Sequence, residues 1–445
     1  MAFSVLPSRA RGGIASLDVP TVQPHAATAV ETPLRPAPAA PTTAPAAAPA
    51  TPVRTRRVLR RRRRTGPIKV AMIGQKGLPA TFGGVEHHVE KLGAILAERG
   101  DVEVMAYCRK SYSEGAPIPA SHQGIRLVTT PTINSKHLDA IVHSITSTIH
   151  AMATGADVIH YHAMGPGLAA PLPRFLGRQK VVLTVHGLDN ERAKWGGLAS
   201  KILGLAHWMS GHVPDQVVTV SKTLAEHYDT QFAADARYIP NGVAAPAPGE
   251  LPQWLVDEFG LTPGGYVLFV GRVVPEKRPD LLVEAMKSVP QNLKVAIVGG
   301  SSFTDEYVAT LRAAAAGDDR IVFPGYVHGA DLQAVYSNAA VFVQPSDLEG
   351  LPLTLLEAIS YGIPVVASDI PPHKEVLDEC SCGGHQLFVH GDAQSLAHAL
   401  RAVLQDTARA HSAARDEVEY LLKPYSWTVA AEELASVYGT VTGRR

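Results

Sequence analysis

From Pro67 onward the chain alternates between short runs that are apolar at nearly every position and longer stretches with a helical period. In the first half the runs are IKVAMIG (68–74), VEVMAYC (102–108), IRLVTTP (125–131), DVIHYHA (157–163), KVVLTVHG (180–187) and QVVTVS (216–221). In the second half they are YVLFVGR (266–272), LKVAIVGG (293–300), IVFPGYV (321–327), AVFVQPS (340–346) and PVVASD (364–369). Strands that are apolar on both faces, with helical patterns such as GGVEHHVEKLGAILAERG between them, predict parallel sheets covered by helices on each side. Each half opens with the same order of strand, glycine-containing loop and helix. Two doubly wound domains would then face one another and bring their strand-end loops to a shared cleft, where ligands of such sheets bind.

This reading divides the chain into a tail at 1–64, a first Rossmann-like domain at 65–243, a Pro- and Gly-rich connection at 244–264, and a second Rossmann-like domain at 265–424. The last stretch, 425–445, contains SWTVAAEELASVYGTV, an amphipathic pattern that predicts a helix packing back on the first domain.

The tail is a different material. Residues 36–52 are entirely Ala, Pro and Thr, a composition that cannot form a packed core. VRTRRVLRRRRR (53–64) then places eight Arg in twelve positions. No apolar core follows those charges, so the segment is not a secretory signal. The run Arg54–Arg64 suits an anionic membrane surface, and a solvated basic tail is the plain alternative. Net charge is zero over the whole chain, which gives no case for nucleic-acid binding. Three cysteines, Cys108, Cys380 and Cys382, are too few for a disulfide framework and fit a reducing cytosol. No apolar run reaches the length of a membrane span. A cytoplasmic protein, peripheral at the inner face of the plasma membrane, is the expectation.

The candidate chemistry sits where strands end. In LEGLPLTLLEA (348–358), Glu349 and Glu357 are eight residues apart. Pro352 suits the first turn of a helix and Gly362 lies just past its end. Glu349 would stand in the loop at that helix entrance and Glu357 about a turn and a half inside. A helix N-terminus offers N–H groups to a phosphate, and the two acids could grip hydroxyl groups on either side of it. The alternative is an acid complementing the helix dipole plus a solvated Glu. In VGRVVPEKRPD, Arg272 and Lys277 would suit a diphosphate, or are surface charge. In IGQKGLPATFGGVE, Gly83 and Gly84 precede a helix, but the pattern is not G-x-G-x-x-G and a dinucleotide site is poorly supported. His186 ends a strand where ligand-facing residues belong, or is an ordinary strand-to-turn residue. His160 and His162 share a strand face without a third ligand at recognisable spacing, and Cys380 and Cys382 lack a second cysteine pair, so no metal site is expected. His87 and His88 fall on the first helix, one of them toward solvent. The chain has no Asp-x-Asp, the pair with which metal-dependent nucleotide-sugar enzymes commonly hold a diphosphate.

Taken together, these elements resemble the retaining GT-B glycosyltransferases of family 4 across roughly residues 67–440. The resemblance rests on E-x7-E at Glu349 and Glu357, G-R-x4-K at Arg272 and Lys277, the glycine loop FGGVE, the VHG strand end and PNGV at 240–243, all in family order. The wording IGQKGLPATFGGVE and VHGLDNERAKWG further resembles bacterial surface-polysaccharide transferases, rhamnosyltransferase-like members among them. The resemblance implies that Glu357 binds the ribose of a nucleotide sugar. Glu349 would contact the transferred sugar together with Gly350 and Leu351 of its loop, and Arg272 and Lys277 would hold the diphosphate. Gly83 and Gly84 would lie against that diphosphate from the other domain, His186 would sit near the reacting carbon, and the backbone of Tyr326 and Val327 would touch the base. It implies hexosyl transfer with retention, without metal or other cofactor, from a nucleotide-diphosphate sugar to a saccharide or lipid-linked acceptor in exopolysaccharide, capsule or O-antigen synthesis. Two other readings fit the same architecture: a nucleotide-sugar 2-epimerase, and a non-catalytic nucleotide-sugar-binding assembly protein.

Overall fold

The computed structural model describes residues 66–81, 83–113, 117–133, 139–188, 197–289, 293–301, 304–377 and 383–444, all within one unit spanning Arg62–Arg445. The Arg54–Arg64 run, the Ala/Pro/Thr segment before it, Cys380 and Cys382 lie outside the described residues.

The first sheet is built from β1 (Ile68–Ile73), β2 (Val102–Cys108), β3 (Ser121–His122), β4 (Ile125–Thr129), β5 (Val158–His162), β6 (Lys180–Val185), β7 (Gln216–Thr219) and β8 (Arg237–Tyr238). Their spatial order is β3-β4-β2-β1-β5-β6-β7-β8, and every pairing is parallel except that of β3 with β4. The second sheet holds β9 (Tyr266–Val270), β10 (Lys294–Val298), β11 (Ile321–Gly325), β12 (Val341–Gln344), β13 (Val365–Ser368) and β14 (His385–Phe388). It runs β11-β10-β9-β12-β13-β14 and is parallel throughout. These are two doubly wound α/β sheets, as the alternation of runs predicts.

Three strands escape the hydrophobic pattern: β3, β8 and β14. The first two are only two residues long, and β14 (HQLF) mixes polar with apolar positions at the edge of its sheet. The connection read at 244–264 is also more ordered than its Pro and Gly content suggests. It contains the helix Gln253–Phe259, whose Leu255 is fully buried, and Asn338 Nδ2 donates to the carbonyl of Gly249 at 2.8 Å.

Both faces of each sheet are covered. Val70 and Met72 point to a core shared with Leu92, Leu96, Leu434 and Tyr438, while Ala71 and Ile73 point to the opposite core with Tyr161 and Leu183. The C-terminal helix Trp427–Thr442 therefore packs on the first domain, beside the helix Gly84–Glu98, as its amphipathic pattern predicts. Arg444 ties its end to Asp157 at 2.9 Å.

In each sheet the winding reverses beside the strand that opens its domain. β1 has β2 on one side and β5 on the other, and β9 has β10 and β12. A crevice opens at the carboxyl ends of such strands because the helices on either side of the reversal diverge to opposite faces. The loops that leave β1, β5, β6, β9 and β12 carry the residues considered next.

Candidate active site

The loop after β1 is held in shape by the first turn and a half of the helix that follows. Glu86 Oε1 accepts from the Lys76 backbone N–H at 2.8 Å, and Glu90 Oε1 accepts from that of Ala80 at 2.9 Å. Gly83 precedes the helix at φ 98°, in the left-handed region, and a Cβ there would stand 2.0 Å from Glu86 Oε2. Glycine is thus required both by the backbone and by the Glu86 side chain folded over it. Glu86 thus already brings a carboxylate to that end of the helix. Gly84 faces the second domain: a Cβ on it would lie 3.9 Å from Leu353 Cδ1.

The loop after β12 forms the opposite wall. Pro352 caps the helix Leu353–Ser360, and Gly362 ends it at φ 63°. Glu349 lies in the loop before that helix with its side chain 8 % exposed, and its Oε1 is a point of convergence. Lys277 Nζ, Gln344 Nε2 (2.8 Å) and Ser346 Oγ (2.7 Å) all donate to it. Burial alone would push the Glu349 carboxyl up. The Lys277 ammonium, His373 and the hydrogen bonds from Lys277 and Ser346 outweigh it and hold the group below its ordinary value, so it is a carboxylate. Lys277 comes from the single turn Pro275–Lys277 after β9, and that turn is tied to the β12 loop because Asp347 N–H donates to the Glu276 carbonyl at 2.9 Å. G-R-x4-K and the first acid of E-x7-E, 72 residues apart, thereby form one ion pair.

Glu357 lies inside the helix Leu353–Ser360 and is partly exposed. Tyr336 Oη donates to its Oε2 at 3.0 Å. Desolvation pushes its carboxyl up to about 7, with Tyr336 and Lys91 pulling the other way. The two acids of the motif therefore differ in kind: one is ionised by a lysine, the other is poised near neutrality by burial.

Arg272 follows β9. Its charge reaches Lys76 of the first domain, where burial, Arg109 and Arg272 together keep the amine below its usual value against the pull of Glu86. Lys76 is thus a third cation of the cleft. It was available in IGQKGLPATFGG but carried no spacing signal. Tyr326 is 45 % exposed; its hydroxyl donates to the Ser301 carbonyl at 3.0 Å, and its ring lies against Gly300. Val327 and Leu351 are buried, so only their backbone is available to a ligand.

His186, half-buried at the end of β6, meets the second domain through its backbone. Its carbonyl oxygen is 1.9 Å from where a Gly350 Cβ would stand. Its ring belongs to a histidine cluster that sequence spacing did not reveal. His162 Nδ1 lies 3.3 Å from His186 Nε2, and the His88 ring packs perpendicular to that of His186 with centroids 4.5 Å apart. His88 Nδ1 is 2.7 Å from Asn241 Oδ1, in the PNGV segment. Burial keeps all three imidazoles neutral: His88 is pushed down to about 4, and His162 and His186 lie well below the ordinary value. Ring nitrogens of His88, His162 and His186 lie within 4.8 Å of one another, close enough to share a cation. No third ligand for His162 was recognisable from spacing, and the fold brings two imidazoles to it, His88 from the helix after β1 and His186 from the residue after β6. His160 is different, since Tyr438 Oη and Thr184 Oγ1 occupy its two nitrogens at 2.7 Å each. It pins the C-terminal helix.

Arg272, Lys277, Tyr326, Val327, Glu349 and Glu357 thus belong to the second domain, and Gly83, Gly84 and His186 to the first. Comparison with known proteins gives the family of each domain. Residues 82–245 match the family model described as Glycosyltransferase Family 4, and residues 261–436 match Glycosyl transferases group 1. The alpha-maltose-1-phosphate synthase of Mycolicibacterium smegmatis is 26 % identical over 402 residues, covering 84 % of this chain and 100 % of that protein. The phosphatidyl-myo-inositol mannosyltransferase of Mycobacterium leprae is 28 % identical over 378 residues, covering 81 % of this chain and 93 % of its own. Among solved structures, the sucrose-phosphate synthase of Thermosynechococcus elongatus superposes with a TM-score of 0.72 at 22 % identity, over 84 % of this chain and 99 % of that one, a likeness of fold. With a family 4 domain on one wall of the cleft and a group 1 domain on the other, the chain is a glycosyltransferase of the GT-B fold.

Proposed function

We propose that this protein is a retaining hexosyltransferase that uses a nucleoside-diphosphate sugar and acts on a saccharide or lipid-linked acceptor in the assembly of a bacterial surface polysaccharide. The observation that carries the reading is the Lys277–Glu349 pair at the winding reversal of the second sheet, directly across from His186. A diphosphate entering beside Arg272 competes with Glu349 for the Lys277 ammonium. Transfer of that contact would leave Glu349 an ionised acceptor for the hydroxyls of the donor sugar. Glu357, in the same wall, suits the ribose diol, and the backbone at Tyr326 and Val327 suits the edge of a base. No metal is required by this arrangement, since Arg272, Lys277 and Lys76 supply the positive charge that a departing diphosphate needs.

The chemistry consistent with these positions is front-face substitution. The bond from the anomeric carbon to the diphosphate oxygen lengthens as the acceptor oxygen bonds to the same face. The acceptor's proton passes to the departing diphosphate. His186, neutral and at the rim, serves as a hydrogen-bonding group rather than as a charge. A lipid-linked acceptor is favoured by the phosphatidyl-myo-inositol named in one relative and by the Arg54–Arg64 run.

The test begins with thermal stability against UDP, GDP and dTDP, with and without magnesium. A ligand at about a hundredfold over its dissociation constant stabilises by roughly 2.7 kcal/mol. The matching sugar nucleotide is then incubated with acceptor, and the anomeric proton of the product is followed by NMR. Silence from every nucleotide, or an inverted product, would overturn the assignment.

A further inference from the structure

The helix Asp139–Ala153 is inside out. Its inward side buries His143, Ser144, Ser147 and Thr148, all at 2 % exposure or less, while Ile145 and Ile149 stand outward at 38 % and 56 %. The three buried hydroxyls are satisfied: Thr148 Oγ1 bonds Tyr161 Oη at 2.8 Å, Ser147 Oγ bonds Thr130 Oγ1 at 2.7 Å, and Ser144 Oγ donates to the Ala140 carbonyl at 2.7 Å. A water-facing helix has the reverse arrangement. The neighbouring elements continue the surface. The Leu172–Leu176 turn, packed against this helix, exposes Phe175 at 71 % and Leu176 at 77 %. The helix Gly197–His212, on the same face of the first sheet, exposes Leu205 and Trp208 at 52 % and 54 %. Of the twelve large apolar side chains exposed among the described residues, eight fall between Ile133 and Trp208.

The exposed charges at the border of this surface are basic. Arg174, Arg178 and Lys201 are exposed at its border. The acids that flank it are already paired, Asp139 with Arg109 at 2.8 Å and Asp215 with Lys180 at 2.8 Å and Arg174 at 3.9 Å, and Asp157 is bonded to Arg444 at the far end of β5. Isolated exposed apolar residues are ordinary, but several exposed together on elements of one face mark an interaction surface. Apolar side chains from three separate elements, a Trp whose ring suits a headgroup boundary, and long cationic side chains at the rim match a lipid interface.

We propose that this face of the first domain docks on an anionic phospholipid surface, with Ile149, Phe175, Leu176 and Trp208 inserted and Arg174, Arg178 and Lys201 at headgroup level. No helix of the described residues is long enough to cross a membrane, so the contact is interfacial. The inference does not depend on the reaction proposed above, because lipid binding is measured without donor or acceptor.

The experiment uses the full chain with phosphatidylcholine vesicles, with and without phosphatidylglycerol, in sedimentation and tryptophan fluorescence. Binding to the anionic vesicles should be accompanied by a blue shift that Trp208→Phe removes while binding persists. Ile149→Glu combined with Leu176→Glu, at exposed positions, should leave thermal stability unchanged and weaken binding about tenfold or more. Because the Arg-rich tail is present in every variant, its contribution is constant. Three results overturn the proposal: no vesicle binding by the wild-type chain, equal binding by the double variant, or lipid-free self-association that the double variant abolishes. The last would assign the face to a second copy of the chain.

Discussion

The carbonyl oxygen of His186 fills the space that any side chain at Gly350 would need. A Cβ there would stand 1.9 Å from that oxygen and 2.7 Å from its carbon. The two walls of the cleft thus touch backbone to backbone, one residue from Glu349. The spacing between the histidine cluster and the Lys277–Glu349 pair is set by the absence of one methyl group.

Gly350→Ala should therefore move the walls apart while leaving each domain folded. Turnover is expected to fall about a hundredfold, the cost of a misplacement on the order of 1 Å at a reacting centre. Nucleotide affinity should change much less, since Arg272, Lys277 and Glu357 all lie on one wall. Loss of nucleotide binding equal to the loss of turnover would refute this view of the contact.

Lys277→Ala should abolish most turnover and also lower stability. Its partner would be left as a buried carboxylate without a cation, at a cost of about 3 kcal/mol. Adding Glu349→Ala to that variant should restore much of the stability and none of the activity. Chemical denaturation of the two single variants and the double variant reads the coupling directly; simple additivity would show that the pair is not the unit described here.

Nucleotide binding should strengthen with pH through neutrality. With its carboxyl pushed up to about 7, Glu357 is protonated below that value and accepts ribose hydroxyls best above it. Affinity measured by calorimetry from about pH 6 to 8 should rise in the wild type. Glu357→Gln should bind more weakly and lose that part of the pH dependence, leaving the phosphate's own titration, which both proteins share. A wild-type profile identical in shape to that of the variant would remove Glu357 from the site.

Fold stability should move with pH in the opposite sense to what Glu357 alone would give. The folded state holds His88, His143, His373 and His385 down to about 4 and His160 to about 3, in each case chiefly through burial. Folded-state values below the unfolded one mean that the unfolded chain binds more protons between about pH 6.5 and 4, so stability falls on acidification through that window. Glu357, raised rather than lowered, gains from acid over roughly pH 7 to 4.5 but is one group against five. The denaturation midpoint is expected to drop steadily from pH 7 to pH 5. A flat profile would mean that these histidines are not buried as described.

Much of the fold was legible in the chain. Eleven runs of apolar residues became strands because a strand covered on both faces needs apolar side chains at odd and even positions alike. The helix around Glu357 was legible from Pro352 and Gly362, which mark its ends by backbone preference. The edge strand HQLF was not, since its first two residues are polar and its four-residue length leaves no period to read. Arg272, Lys277, Glu349, Glu357 and His186 were legible as strand-end residues of suitable chemistry, whereas Lys76 and His88 were not, because nothing in their local spacing distinguishes them from ordinary loop and helix residues.

By itself, then, the sequence determined the two doubly wound domains, the returning C-terminal helix and the chemical types gathered at the strand ends. These follow from local periodicity and backbone preference, which act over a few residues. Only the tertiary structure decided which of those groups meet. Lys277 pairs with Glu349, His88 reaches His186 across from Gly350, and Tyr438 closes on His160 from 278 residues away. It also turned the apolar side of the Asp139–Ala153 helix outward, because the polar side found Thr130 and Tyr161 as hydrogen-bond partners inside. Amphipathic spacing states that a helix has two faces; which face is buried depends on the groups it packs against.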